Sequence, residues 1–333
     1  MKELSKIALA IQPSTTLAID SMFKQMKAEG QDVVGFGAGE PDFPTPDYIK
    51  EAGIEAIRNN DTKYTPSVGT VEVRKAVCQR LKEDCGIEYQ PAEIAVSNGA
   101  KTCVYASLRA LVNPGEEVIL PAPYWVSYIE LIQMVGGVPV VVNASEAEHF
   151  KITPEKLSAA ITPKTKCMIL NNPSNPTGMM YDRQELEAIA RVCVEKDIYV
   201  ISDEIYYRLA YDGREFTSLA AISPEIKERT LIVNGVSKSY AMTGWRLGYV
   251  AAPAQAAAME RLLPLLTDEE TDVYRRGRNT APHSVPRAAT RAQYQSATGL
   301  EALFGWLYLT GQKERVCLLF QQILAMKPWK KEE

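Results

Sequence analysis

Histidine is nearly missing from this sequence, and cysteine never occurs at metal-binding spacing. The 333 residues include two histidines, His149 and His283. Neither sits in an HExxH pattern, and with no Cys/His cluster a zinc or other metal centre is not expected. A Ser-His-Asp hydrolase would have to recruit one of the two, and no GxSxG turn accompanies them. The six cysteines (Cys78, Cys85, Cys103, Cys167, Cys193 and Cys317) form no CxxC pair. Scattered through apparent helices and strands, they read as buried thiols of a reducing compartment. No apolar run is long enough to span a bilayer. The opening MKELSKIALAIQPSTT has no convincing cleavage site, so the expected location is the cytoplasm. A net charge of −4 carries no basic excess, so neither nucleic acid nor a membrane surface is an expected partner.

The last part of the chain has absences of its own. No lysine occurs between Lys238 and Lys313, whereas arginine recurs at 246, 261, 275, 276, 278, 287 and 291. From 267 to 298 there is no Leu, Ile, Met, Phe or Trp. Such a stretch buries little and reads as loop or disorder. Apolar patterning returns at 300–308 and 316–326, where two short helices are expected. The abrupt change in Lys/Arg usage predicts a tail that is divergent or read from a shifted frame.

What is present alternates strand with helix. Apolar β-branched runs at 117–120, 138–142, 166–170, 198–201, 231–233 and 248–251 predict strands, with Pro139 marking a strand start or an edge. A helical run over 102–111 precedes them, and a second helix follows Asp182 between the third and fourth. That second helix has Asp182 and Glu185 as a capping box, and Leu186, Ile189, Ala190 and Cys193 as its apolar stripe. The pattern predicts an α/β fold, a mostly parallel sheet sandwiched by helices. Ligands of such sheets bind beyond the carboxyl ends of the strands. Asn175, Asp203 and Lys238 each follow a strand closely. Gly35, Gly37 and Gly39 do not make a dinucleotide loop, because Pro41, Pro44 and Pro46 stand where its helix would begin.

Residues 235–248, GVSKSYAMTGWRLG, carry the most chemistry. A lysine just past a strand and flanked by small residues can reach into a cleft. Taken alone it would be read as a surface lysine. Ser237 and Arg246 suit a phosphate, by hydroxyl donation and by the guanidinium fork. The segment resembles the cofactor-lysine signature of the class I/II aminotransferases, fold-type I enzymes that use pyridoxal 5′-phosphate (PLP). The likeness covers roughly residues 1–255 and is strongest to the bacterial aspartate aminotransferase branch.

The resemblance implies a role for each matching position. Lys238 would hold PLP covalently and act as the general base. Asp203, in a D-E-x-Y match over 203–206, would keep the pyridine nitrogen protonated, although a helix N-cap would also explain an acidic pair there. Tyr206 would donate to the cofactor's phenolic oxygen. Asn175, in an N-P-x-N-P-T-G match, would bind that oxygen and the substrate carboxylate. Trp125 would stack on the ring; a core tryptophan is the plainer alternative. Gly99, Ala100 and Lys101 open a helix and would cradle the phosphate together with Ser237 and Arg246. Gly39, in the G-E-P-D-F segment of the lid region, would touch the substrate carboxylate through its backbone. Tyr64 would reach the neighbouring subunit's phosphate, which implies a homodimer with shared sites. The stretch 13–16, PSTT, resembles a region associated with a distal carboxylate and is equally explained as a helix cap.

The implied layout is an N-terminal arm and small-domain part over 1–45, a large PLP-binding domain over 46–255, and a divergent or truncated segment over 256–333 that leaves the second domain incomplete. The family's late arginine, which clamps the substrate α-carboxylate, has no match; Arg291 before Tyr294 has the wrong spacing. The expected activity is transamination between an amino acid, aspartate first and aromatic ones also open, and 2-oxoglutarate. PLP-dependent β-elimination of the C–S lyase type and a non-catalytic PLP-binding remnant stay as alternatives.

Overall fold

Successive side chains of the central strands point to opposite faces of one sheet, and both faces are apolar. In Thr165–Asn171, Cys167 and Ile169 join one core cluster while Met168 and Leu170 join another. A strand buried on both sides reads as a continuous apolar run, which is why the sequence shows it so clearly. The computed structural model describes residues 15–35 and 39–253, with Leu9, Ile11 and separate positions between 303 and 319.

Seven strands build the sheet: β1 Ile94–Ser97, β2 Glu117–Ala122, β3 Val138–Asn143, β4 Thr165–Asn171, β5 Tyr199–Asp203, β6 Thr230–Gly235 and β7 Gly248–Ala251. Their order is β1-β7-β6-β5-β4-β2-β3. β7 runs antiparallel to both neighbours, and the other four pairs are parallel. The expected mostly parallel sheet is present, and β3 with its Pro139 is an edge. Several predicted strands extend by one or two residues, and β5 starts at Tyr199 rather than 198.

Helices cover both faces. The helices with full bounds among the described residues are α1 Thr15–Ala28, α2 Asp47–Arg58, α3 Val71–Cys85, α4 Ala100–Leu111, α5 Ser127–Met134, α6 Pro154–Ala160, α7 Arg183–Glu195 and α8 Pro224–Lys227. Cys103, Val104 and Leu108 of α4 and Tyr128, Leu131 and Ile132 of α5 pack on Val118, Leu120, Ile169 and Val233. On the other face Leu157 of α6 and Leu186, Ile189 and Cys193 of α7 pack on Ile119, Met168, Leu170 and Val200. Each fully buried aliphatic side chain is worth about 1.5–3 kcal/mol. α7 starts as the capping box predicts. Asp182 Oδ1 accepts from the Glu185 N–H at 2.9 Å, and the Glu185 carboxylate accepts from the Asp182 N–H at 2.8 Å.

The sequence reading does not identify β1, α2, α3, α5, α6 or α8. In β1 the alternate residues Ala95 and Ser97 carry little strand preference. No helix follows Asp203: a turn closed by the Tyr207 N–H to Glu204 O at 3.0 Å takes its place, so the N-cap alternative is absent. Cys103, Cys167 and Cys193 are buried free thiols, while Cys78 and Cys85 are only half-buried. Among the described residues no helix is long and apolar enough to cross a membrane. Most of the segment 256–333, including Arg291, His283 and Cys317, lies outside the described residues, as do residues 36–38 and 12–14 of the glycine-rich and PSTT stretches. Leu303, Leu307 and Leu319, in the two expected C-terminal helices, are helical and buried.

Candidate active site

β4, β5 and β6 are adjacent and parallel, so their carboxyl ends share one edge of the sheet. In register, Asn171 of β4 sits beside Asp203 of β5. Asp203 closes its strand, Asn175 stands four residues past β4, and Lys238 stands three past β6. The three residues singled out in the sequence are therefore gathered by strand order alone.

Asp203 is the buried centre of the group. Its Oδ2 accepts from the Tyr128 hydroxyl at 2.7 Å and its Oδ1 from the Ile205 N–H at 3.2 Å. Both donors are neutral. Burial raises the carboxyl to about 6, against the downward pull of those two hydrogen bonds. Asn171 links Asp203 to Asn175: its Nδ2 donates to the Asp203 carbonyl at 3.0 Å, and its Oδ1 accepts from the Asn175 N–H at 2.7 Å. Asn175 Nδ2 then donates to the Tyr206 hydroxyl at 3.2 Å. Lys238 Nζ lies 5.9 Å from the Tyr206 ring centre and donates to the Gly39 carbonyl. Burial lowers the Lys238 pKa, and the charge of Glu40 opposes the shift. A lowered pKa favours the free amine, the form that attacks a carbonyl or takes a proton.

The segment around Gly39 crosses the lysine loop. Thr243 donates to Glu40, Thr45 Oγ1 donates to the Ala241 carbonyl at 2.6 Å, and Trp245 Nε1 donates to Thr45 Oγ1 at 3.2 Å. Trp125 is half-buried and meets Tyr128 edge to face, with ring centres 5.3 Å apart. Lys101 Nζ sits 4.8 Å from the Trp125 ring. Lys101, Trp125, Tyr128, Asp203, Asn171, Asn175, Tyr206, Lys238 and Gly39 thus form one connected chain of contacts.

A second feature adjoins it. Gly99 precedes α4 with φ of +83°, and a side chain there would strike the Arg246 guanidinium. Gly248 of β7 lets the backbone of Gly99 and Ala100 approach just as closely. The first N–H groups of α4, which lack intrahelical partners, and the Arg246 fork therefore converge on one spot. Two positive features with no side chain between them make an anion cradle. Ser237 is buried at the root of the same loop, where its carbonyl accepts from the Met242 N–H at 3.1 Å. Tyr64 stands apart, fully exposed on the single chain.

Sequence reasoning missed Tyr128 and Asn171. Tyr128 lies on α5 three residues after Trp125 and reads as core; no local signal aims its hydroxyl at a residue 75 positions away. Asn171 stands one residue before the matched motif, and its place beside Asp203 needed only the strand pairing.

Comparison with known proteins finds aminotransferases among both sequences and solved structures. The family model for aminotransferase class I and II matches residues 31–285, extending about thirty residues past the point where individual positions are recognisable. An aspartate aminotransferase of Geobacillus stearothermophilus is 46% identical over 292 residues, covering 88% of this chain and 70% of that protein. Among solved structures, an aspartate aminotransferase from Thermus thermophilus with maleate matches at a TM-score of 0.73 and 35% identity, over 93% of this chain and 76% of that one. An aromatic aminotransferase from Pyrococcus horikoshii matches at a TM-score of 0.65 and 43% identity, over 69% of this chain and 62% of that one.

Proposed function

Because the chain belongs to the class I and II aminotransferases, we propose that it holds pyridoxal 5′-phosphate at Lys238 and exchanges amino groups between aspartate and 2-oxoglutarate. The observation that carries this reading is the meeting of Lys238, Tyr206, Asn175 and buried Asp203 at three neighbouring strand ends.

The residues fit the group chemically. The anion cradle of Gly99, Ala100, Lys101 and Arg246, with Ser237 beside it, suits a phosphate. Asp203, buried with only neutral donors, suits a cationic ring nitrogen. PLP, when bound, supplies an aldehyde carbon for the lysine and a ring that takes up electron density from the substrate α-carbon. Asp203 keeps a proton on the ring nitrogen, and Tyr128 holds the carboxylate in place. Trp125 would stack on the ring and exclude water. Asn175 and Tyr206 present an amide N–H and a hydroxyl toward the reacting end, and Lys238 Nζ takes the α-proton and returns it. The names of the relatives support a dicarboxylic substrate, and so does maleate, itself a dicarboxylate. The exposed Tyr64 supports a homodimer in which each subunit completes the other's phosphate site.

Spectra of the half-reaction test the proposal. The chain with PLP should show absorbance of the lysine-bound cofactor near the visible edge, and aspartate should bleach it. Lys238→Ala should lack the band altogether; a band that survives the substitution rules out this site. Pyruvate released from a sulfur amino acid without bleaching by aspartate would point to β-elimination instead.

A further inference from the structure

The turn after β5 ends at Arg208, a side chain to which none of the roles above gives work. Its Nη2 donates to both carboxylate oxygens of Asp84, at 2.8 Å each, in the last turn of α3. Its Nε donates to the Tyr207 hydroxyl at 2.9 Å, and that hydroxyl donates to Asp84 Oδ2 at 2.8 Å. Arg80, one turn earlier on α3, also donates to Asp84, through Nε at 3.3 Å and through Nη2. The Arg208 guanidinium carbon lies 5.6 Å from the Tyr207 ring centre and 5.6 Å from that of Tyr240. Tyr240 is two residues past Lys238, in a turn closed by its own N–H to the Val236 carbonyl at 3.2 Å. One planar cation therefore touches the turn that carries Tyr206 and the turn that carries Lys238, and a helix anchors it.

An ordinary surface ion pair is worth little, and the Arg208 side chain is 37% exposed. What sets this contact apart is its shape: an end-on grip on a carboxylate combined with a cation held near two aromatic rings, which lysine cannot reproduce. Burial works against the Asp84 charge, yet the hydrogen bonds from Arg208, Tyr207 and Arg80 still bring its carboxyl below the ordinary range.

We propose that Arg208, gripped by Asp84 and held near the Tyr240 ring, is a positioning residue that sets the spacing between the Tyr206 turn and the Lys238 turn. The inference rests on the reading of Lys238 as the cofactor lysine, and its test separates the two.

Wild type, Arg208→Lys and Tyr240→Leu are compared as full chains. With PLP, the measurements are the pH midpoint of the lysine-bound absorbance, the cofactor dissociation constant, and kcat and KM for aspartate. Without PLP, the rate of Lys238 acetylation by acetic anhydride is followed by peptide mass. Each variant should shift the midpoint, alter Lys238 labelling several-fold and lower kcat roughly tenfold with KM nearly constant, as expected for a slightly misplaced base. Tyr240→Leu reads the same contact from its other side should Arg208→Lys not fold. Melting temperatures that fall while midpoint, labelling and kcat stay at wild-type values would overturn the proposal. So would Arg208→Lys behaving as wild type. If wild type shows no lysine-bound absorbance, the cofactor reading fails by itself, and the labelling rates still decide the role of Arg208.

Discussion

At the scale of single residues, Asp203 and Glu204 show how adjacency in sequence separates two carboxyls in space. Asp203 faces the strand-end cleft through Tyr128 and Asn171. Glu204 is buried elsewhere, its Oε1 accepting from Ser202 Oγ at 2.8 Å and Ser218 Oγ at 2.7 Å, while its Oε2 has no hydrogen-bond partner. Among the described residues, the titratable groups that act on it or that it acts on are Asp203, Cys85, Tyr89 and Tyr249, none of them cationic. Burial raises Glu204 from 4.5 to about 7, against the hydrogen bonds from Ser218 and Ser202. A raised acid holds its proton longer in the folded state than in the unfolded chain. Between about pH 4.5 and 7 the folded state therefore binds the extra proton, and stability falls as pH rises, levelling off above about 7. The effect is on the order of 3 kcal/mol. Asp203 acts in the same direction over a lower window. Glu204→Gln should remove the Glu204 part of the slope. Urea unfolding of the cofactor-free chain at pH 5 and pH 8 measures it, and equal pH slopes in the two proteins would refute the assignment.

At the scale of elements, the start of α4 carries the clearest prediction. Glycine is required at position 99 twice over, by the left-handed φ of +83° and by the closeness of Arg246. Gly99→Ala should cost about 1–3 kcal/mol of backbone strain and push the guanidinium away from the first helical N–H groups. Binding of PLP should weaken by at least about tenfold, while binding of unphosphorylated pyridoxal changes little. Fluorescence titration with both compounds checks this, and equal losses for the two would show that no phosphate cradle exists there. α4 and α7 were legible in the sequence because their caps and apolar stripes are local. α2, α3, α5, α6 and α8 were not; α2, for one, buries no residue in the single chain, so its apolar positions do not organise around a core.

For the whole molecule, that same helix raises the question of a partner. Phe43, Tyr48 and Ile57 are 80%, 72% and 67% exposed, close in sequence to the fully exposed Tyr64. Large apolar side chains left exposed along one short stretch of chain are what an interface would cover. A second copy of the chain fits, because Tyr64 of each would then reach the other's phosphate cradle. The chain should migrate as a dimer, and Ile57→Glu should yield monomers that bind PLP more weakly. Light scattering of both proteins decides the matter; a monomeric wild type would remove the shared-site reading.

Much of this protein was set by local chemistry along the chain. The alternating strands and helices, the capping box at Asp182 and the positions of Lys238, Asp203, Asn175 and Arg246 follow from pattern, spacing and resemblance to a family. Only the tertiary structure decided which side chains complete those positions. Tyr128 serves Asp203 because α5 packs on the sheet face that carries Ile169 of β4 and Ile201 of β5, and Arg208 reaches Tyr240 while Asp84 of α3 holds its guanidinium. Such pairings depend on strand order and on contacts across tens of residues, and no periodicity in a linear sequence records them.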